Sequence, residues 1–299
     1  MPVTINGSDG ITNASWTTGT RPSNPVAGQM GYNTDLGFIE VYDGNNDEWV
    51  SSAFLAEGGT ETIITDGGVT YKVHTFTSSG TFNVISGSRE VEYLVVAGGG
   101  AGGDTRTFAA TGAGGGGAGG LIQATTNIIS GSHPVVVGAG GASPGEAEAG
   151  NNGSNSSFFS TNTIGGGGGS GADAREGRDG GSGGGSVSNR APGSGTFGQG
   201  NDGGEGTSQG FGGGGGGAES AGQDGASSDG GSGGSGKTID ISGSSVTYAI
   251  GGDGGPPSAD FVGSNGTANR GNGGEGSGHS SGSRGGAGGS GTVIIRYQI

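Results

Sequence analysis

The sequence predicts a mostly β and irregular fold with essentially no α-helix. A small antiparallel β base carries a bundle of packed polyglycine-II helices, and an N-terminal β-hairpin module precedes it. Three observations predict this. Glycine fills 83 of 299 positions, several times the usual share of about 7%, and gathers in tracts at 98–103, 112–120, 165–169, 180–185, 212–217 and 285–289. One strand-like run, Val91-Glu92-Tyr93-Leu94-Val95-Val96-Ala97, enters the glycine region, and another, Thr292-Val293-Ile294-Ile295-Arg296-Tyr297, leaves it. The tracts are punctuated by Ala, Asn and Phe and separated by inserts of differing sequence, unlike a glycine–serine tether.

Glycine loses more backbone entropy on folding than any other residue, so such tracts need a specific reason to be ordered. Collagen fails as that reason, because it needs glycine at every third position and abundant proline. This chain has only 8 Pro and uninterrupted runs of glycine. The remaining ordered state is a polyproline-II-type helix, with three residues per turn and no internal hydrogen bonds. Its N–H and C=O groups point sideways and must find partners on neighbouring helices. With no side chains to hold them apart, such helices pack side by side, bonded through the main chain rather than an apolar core.

The chain divides in order into residues 1–57 (an attachment or assembly module), 58–97 (the β base), 98–289 (the glycine body with variable surface loops) and 290–299 (a closing strand). In the first region, Thr20-Arg21-Pro22-Ser23-Asn24-Pro25 is expected to be extended, because each proline fixes its own φ and restricts its predecessor. Residues 31–42 read as two strands around an Asn-Thr-Asp-Leu-Gly turn, with Phe38, Glu40 and Tyr42 alternating with Ile39 and Val41. Trp49 returns to the apolar side. A hairpin this small is not stable alone, so Tyr32, Phe38, Tyr42 and Trp49 are the candidates for assembly contacts. Strands are expected at 69–77, 81–85 and 91–97, then at 121–129, 134–137, 238–241, 246–250 and 292–299. The inserts 104–111, 172–179, 187–197 and 256–268 are expected as surface loops at the ends of the bundle.

Chemical motifs fare poorly. Gly98-x-Gly100-x-x-Gly103 follows a strand but precedes no helix, so it lacks the oriented amides a pyrophosphate needs. Gly231-Ser232-Gly233-Gly234-Ser235-Gly236-Lys237-Thr238 matches the phosphate-loop pattern, yet a Gly/Ser tract precedes it and a β run follows. Asp43-x-Asn45-x-Asp47 departs from a calcium loop at Glu48 and Phe54. His74, His133 and His279 share no ligand spacing. The acid pairs Glu146/Glu148 and Asp173/Glu176 read as solvated loop residues rather than a glycosidase pair. No enzyme activity, cofactor or metal is expected.

A formal charge of −15 with 11 scattered basic residues speaks against nucleic acid, whose phosphates need clustered Lys and Arg. Zero Cys leaves no disulfide or thiolate site. No apolar run of membrane-spanning length and no basic, apolar leader is seen, so neither membrane insertion nor secretory export is expected. Arg106, Phe108, Arg190, Phe197 and Phe261 are bulky residues in small, polar inserts, as is Phe211. Two readings of them stand open: packing over the glycine bundle, or recognition by loops on a rigid scaffold.

Residues Arg21-Pro22-Ser23-Asn24-Pro25-Val26-Ala27-Gly28-Gln29-Met30-Gly31-Tyr32-Asn33-Thr34, with Tyr42-Asp43-Gly44 and Trp49, resemble a segment of tail-fibre and structural proteins of tailed phages. The later pieces resemble phage glycine-rich fibre and adhesin domains. They are Phe76-Thr77-Ser78-Ser79-Gly80-Thr81-Phe82, Tyr93 to Gly100, Asn152-Gly153-Ser154-Asn155-Ser156-Ser157-Phe158, Tyr248-Ala249-Ile250-Gly251-Gly252 and Gly289 to Tyr297. The resemblance implies polyglycine-II helices on a β base in a virion fibre, made in the host cytoplasm, with the inserts facing a host cell-surface receptor such as a polysaccharide or outer-membrane protein. Its implied partners are other virion proteins and copies of itself, a trimer by analogy with fibres in general. Arg106, Phe108, Arg190, Phe197 and Phe261 are the candidate receptor contacts. The alternative is a purely structural decoration, capsid-fibre or self-assembling filament protein.

Overall fold

The computed structural model describes residues 5–6, 10–11, 14–35, 38–44, 48–51, 54–105, 111–172, 176–226, 229–257, 261–279 and 283–299. The described chain is β and irregular; its one helical turn is the 3-10 segment Thr18–Thr20. It forms two compact units. One holds residues 1–57 with 82–90 and 127–132, and the other holds 58–81, 91–126 and 133–299.

In the first unit, β1 (Ile5–Asn6) pairs with β2 (Gly10–Ile11). Then β3 (Ala14–Trp16), β4 (Met30–Asn33), β5 (Phe38–Asp43) and β6 (Glu48–Ser51) make a four-stranded sheet in that order. The expected hairpin is therefore the centre of a larger sheet, because β3 adds in parallel to β4 with Trp16 opposite Asn33. The Trp16 ring lies over Gly31, where a Cβ would fall 2.0 Å from it. Only glycine lets the indole reach the sheet there. Beneath Trp16, the Glu40 carboxylate is 1% exposed. It accepts from Trp16 Nε1 (3.1 Å), Asn33 Nδ2 (3.0 Å) and Arg21 Nε (3.0 Å), and from Arg21 Nη2 as well. Burial alone would raise its pKa; these donors outweigh burial and hold it below the ordinary carboxylate value. β7 (Leu55–Glu57) closes the unit by pairing antiparallel with Asn83, Val84 and Ser86.

The strands β8 (Thr60–Asp66), β9 (Val69–Phe76), β10 (Gly80–Val96), β11 (Leu121–Val136), β12 (Ser156–Phe158), β13 (Thr161–Thr163) and β16 (Thr292–Gln298) form an eight-stranded sheet with β7. Its order is β13-β12-β11-β10-β16-β9-β8. Two pairs of expected strands fuse: 81–85 with 91–97 in β10, and 121–129 with 134–137 in β11. β14 (Lys237–Ile239) and β15 (Val246–Tyr248) make a separate hairpin. Val73, Leu94, Val96, Ala118, Leu121, Ile239, Ile241, Tyr248, Ala249 and Ile294 form the apolar cluster of this unit. Arg296 bridges Glu92 (2.7 Å) and Asp66 (3.1 Å) and lies 4.6 Å from the Tyr71 ring centroid.

The glycine body follows a three-residue rule. Gly98, Ala101 and Asp104 donate to Ser154, Asn151 and Glu148 of one neighbouring segment. Gly99 and Gly102 donate to Gly289 and Gly286 of a second, and Gly100 and Gly103 to Gly117 and Gly114 of a third. Each neighbour recurs every third residue, as a helix of three residues per turn demands. Segment 112–120 sits at the centre. It donates to 271–277, 164–170 and 210–216 and accepts from 98–103, 182–185 and 252–255. These surround it on every side. Axes this close leave room for no more than the methyls of Ala113 and Ala118 in this segment, and a Cβ on Gly116 would lie 2.2 Å from Gly100 O.

Candidate functional site

The ladder of lateral bonds also fixes direction. Gly120 leads into β11 and Gly98 follows β10, so both mark the strand-bearing end of the lattice. Gly119 bonds to Gly271, Gly116 to Gly274 and Ala113 to Ser277, so position 277 lies at the opposite end. Traced this way, the described turns 143–147, 187–190 and 206–211 lie at that opposite, distal end, as do the described residues that flank 106–110, 173–175, 227–228, 258–260 and 280–282. Chains that turn back repeatedly from one lattice must bring their loops together.

The candidate residues separate between the two ends. Arg190 is exposed on a distal turn held tightly from below. Its amide donates to Val187 O (3.0 Å), its carbonyl accepts from the Ser186 hydroxyl, and Asn189 N donates to Gly206 O (2.8 Å). Ser188 and Asn189 both have positive φ, 51° and 55°, a conformation costly for side-chain-bearing residues. Phe261 is half-buried at the same end. Its carbonyl accepts from Gly278 N (2.9 Å), and the next residue, Val262, is exposed. Phe211 is half-buried beside Gly225. Arg106 and Phe108 fall outside the described residues, but their loop springs from the distal end. Its root, Thr105, is buried and bonded to Ser277 Oγ and Gly278 O (both 3.0 Å).

Phe197 lies elsewhere. It is 102% exposed, on the turn 196–199 at the strand-bearing end, where Thr196 N donates to Gly180 O (3.0 Å). The insert 187–197 thus runs the length of the lattice instead of forming one loop.

In the N-terminal unit, Tyr42 and Trp49 pair across β5 and β6 with ring centroids 5.5 Å apart, and Trp49 meets Trp16 at 4.7 Å. Both are engaged in their own sheet. The side chain of Phe38 is outside the described residues. Tyr32 (41% exposed) and Met30 (50% exposed) stand on the other face of β4, opposite Ile39 and Val41 of β5. That face is one apolar surface this unit leaves partly uncovered, and strand alternation was the signal for it.

The motifs that look chemical in the sequence are structural here. Gly98 to Gly103 spend every amide on neighbouring segments. Gly231 and Gly234 donate to Gly212 and Gly215, and Lys237 opens β14. His74 is buried, with Nδ1 2.8 Å from Gly58 O and its ring stacked on Tyr297, and burial lowers its pKa. Glu146, Glu148 and Glu176 are exposed at the distal end, and Asp173 is outside the described residues. Among the described residues no cluster of His, Asp and Glu could hold a metal, and no helix is long and apolar enough to cross a membrane.

A lattice of laterally bonded glycine helices that leads into strands at one end defines a class of glycine-rich domains. The sequence profile of a family described as "Glycine-rich domain" matches residues 75–298. The chain belongs to that family. A search of curated proteins finds no match.

Proposed function

We propose that this protein is a non-enzymatic fibre or adhesin subunit of a phage virion, whose lattice presents the distal loops to a surface molecule of the bacterial host. The observation that carries this reading is that the described turns, and the residues flanking the other connections, gather at one end of a lattice held rigid by its main-chain bonds. Loops held by a stiff scaffold lose little entropy on binding, and aromatic and Arg side chains on them supply most of the contact energy. Several copies per particle would multiply weak contacts. Residues 1–57 then attach the subunit to other virion proteins, through the uncovered face of Met30, Tyr32, Ile39 and Val41. The resemblance of residues 21–49 to phage fibre segments supports the virion setting.

The test is adsorption of fluorescently labelled full-length protein to a panel of bacterial cells. Replacing Arg106, Phe108, Arg190 and Phe261 together by Ala should abolish cell binding while leaving thermal unfolding in place. Phe197→Ala, at the other end, should bind as the wild type does. A folded quadruple variant that adsorbs normally would sink the recognition role. The same uncovered sheet face favours a second reading, a purely structural decoration or filament protein. Electron micrographs of long regular filaments from the purified chain would favour it.

A further inference from the structure

The two edges of the large sheet are finished differently. On β13 the outward backbone is covered by one side chain: Gln199 donates through Nε2 to Asn162 O (3.2 Å) and accepts at Oε1 from Ile164 N (2.8 Å). A carboxamide thus stands in for a neighbouring strand. β8, at the other edge, has no such cover among the described residues. Ile299 N bonds to Thr70 O and Thr292 Oγ1 to Phe76 O, so even-numbered residues of β9 face β16 and odd-numbered ones face β8. Thr60, Thr62, Ile64 and Asp66 lie opposite Thr75, Val73, Tyr71 and Val69. The amides and carbonyls of Glu61, Ile63 and Thr65 therefore point away from the sheet. The strand carries no proline, bulge or lysine, the usual guards of a bare edge. The Ile63 side chain is 68% exposed.

We propose that β8 is the seat of a two-fold dimer, in which a second copy of this chain adds its own β8 antiparallel across an axis at Ile63. The sequence suits that symmetry. Centred on Ile63, an antiparallel copy sets Glu61 against Thr65, Thr60 against Asp66 and Thr62 against Ile64. No like charges face each other. The three outward-pointing residues fall on hydrogen-bonded sites of the new ladder, and the two Ile63 side chains cover each other. Such an interface is isologous and closes on itself, so it yields a dimer and not a fibre. The pairing does not rest on the display reading and survives if the distal loops bind nothing.

Two experiments on the full chain test it. The chain contains no cysteine, so Ile63→Cys introduces a single thiol. In a hydrogen-bonded antiparallel pair its two copies would have Cα atoms about 5.5 Å apart, within disulfide reach. Mild oxidation should give a covalent dimer faster than in Val262→Cys, an exposed control. Equal rates would overturn the proposal. Sedimentation equilibrium should show a wild-type dimer. Ile63→Pro removes an outward amide without touching a bond to β9, and should weaken association about tenfold or more. A monomeric or trimeric wild type, or a folded proline variant that dimerises undiminished, would also overturn it.

Discussion

Asn152 and Asn155 are three residues apart, which on a helix of three residues per turn puts them on one face. Two rows of amides on the adjacent segment 164–170 bond to lattice neighbours: Gly166 and Gly169 to Gly98 and Ala101, Gly167 and Ser170 to Ser182 and Gly185. The third row, Gly165 and Gly168, has no further helix to bond. The Oδ1 atoms of Asn155 (2.9 Å) and Asn152 (3.0 Å) take those amides instead. Asp253 does the same for Gly233, Asp202 for Gly195 and Asn265 for Ala287. Short carbonyl-bearing side chains therefore finish the rim of the lattice. Replacing Asn152 and Asn155 together by Ala should speed amide exchange at Gly165 and Gly168 about tenfold or more, leaving Gly166 and Gly167 protected. NMR hydrogen exchange checks this, and uniform loss of protection would refute the rim role. Asparagine is visible in the sequence as punctuation of the tracts. What it does depends on which tract faces which, and only the ladder reveals that.

At the same scale, Glu40 ties Trp16, Arg21 and Asn33 into one network. Both tryptophans of the chain, Trp16 and Trp49, belong to this unit, so their fluorescence reports on it alone. Glu40→Ala leaves a partly buried Arg21 without its carboxylate and should destabilise the unit by about 3 kcal/mol in urea titrations. Because the folded pKa of Glu40 is depressed, its contribution is fully present above the ordinary value of 4.5 and is lost as pH falls through the lower folded value. The acid-side loss of tryptophan stability should therefore be shallower in Glu40→Gln. The strand carrying Glu40 was legible from alternation. Its role as the centre of a buried network was not, because an acid on an alternating strand reads as solvent-facing until Trp16 is placed over it.

For single elements, the glycine helices show why their sequence tolerates so little. A Cβ on Gly116 would meet Gly100 O at 2.2 Å, backbone that is itself bonded into the lattice, whereas one on Gly145 would meet only the carboxylate of Glu148 at 3.1 Å. Gly116→Ala should cost about 3 kcal/mol or more, since overpacking against fixed main chain forces a shift of the neighbouring axis. Gly145→Ala should be nearly neutral. Thermal denaturation of the two variants checks the contrast, and equal melting would mean the axes can spread. The tract positions and the long apolar strands were readable in advance because glycine runs and two-residue alternation are local signals. β8, β12 and β13 were not, since Thr60–Asp66 and the short Ser156–Phe158 and Thr161–Thr163 are mostly polar and owe their strand state to their pairing with β9, β11 and β12 respectively.

For the whole molecule, what distinguishes this fold is the kind of surface it removes from water. In an ordinary domain, unfolding exposes mainly apolar side chains, and the heat capacity rises by about 12–15 cal/mol/K per residue. Here the interior of the glycine body is peptide backbone packed on peptide backbone, with a modest apolar cluster confined to residues such as Leu94, Ile241, Tyr248 and Ile294. Exposed apolar surface raises the heat capacity and exposed polar surface lowers it, so the two contributions should largely cancel over residues 98–291. Calorimetry of the full chain should therefore give a heat-capacity change per residue well below the usual range, with a sizeable unfolding enthalpy from the many lateral bonds. It follows that stability should fall almost linearly with temperature between about 5 and 35 °C, without the usual maximum near 10–20 °C, because a small heat-capacity change removes the curvature and leaves the slope set by the unfolding enthalpy. An ordinary heat-capacity increment would mean that side-chain burial, and not the lateral main-chain ladder, holds the body together.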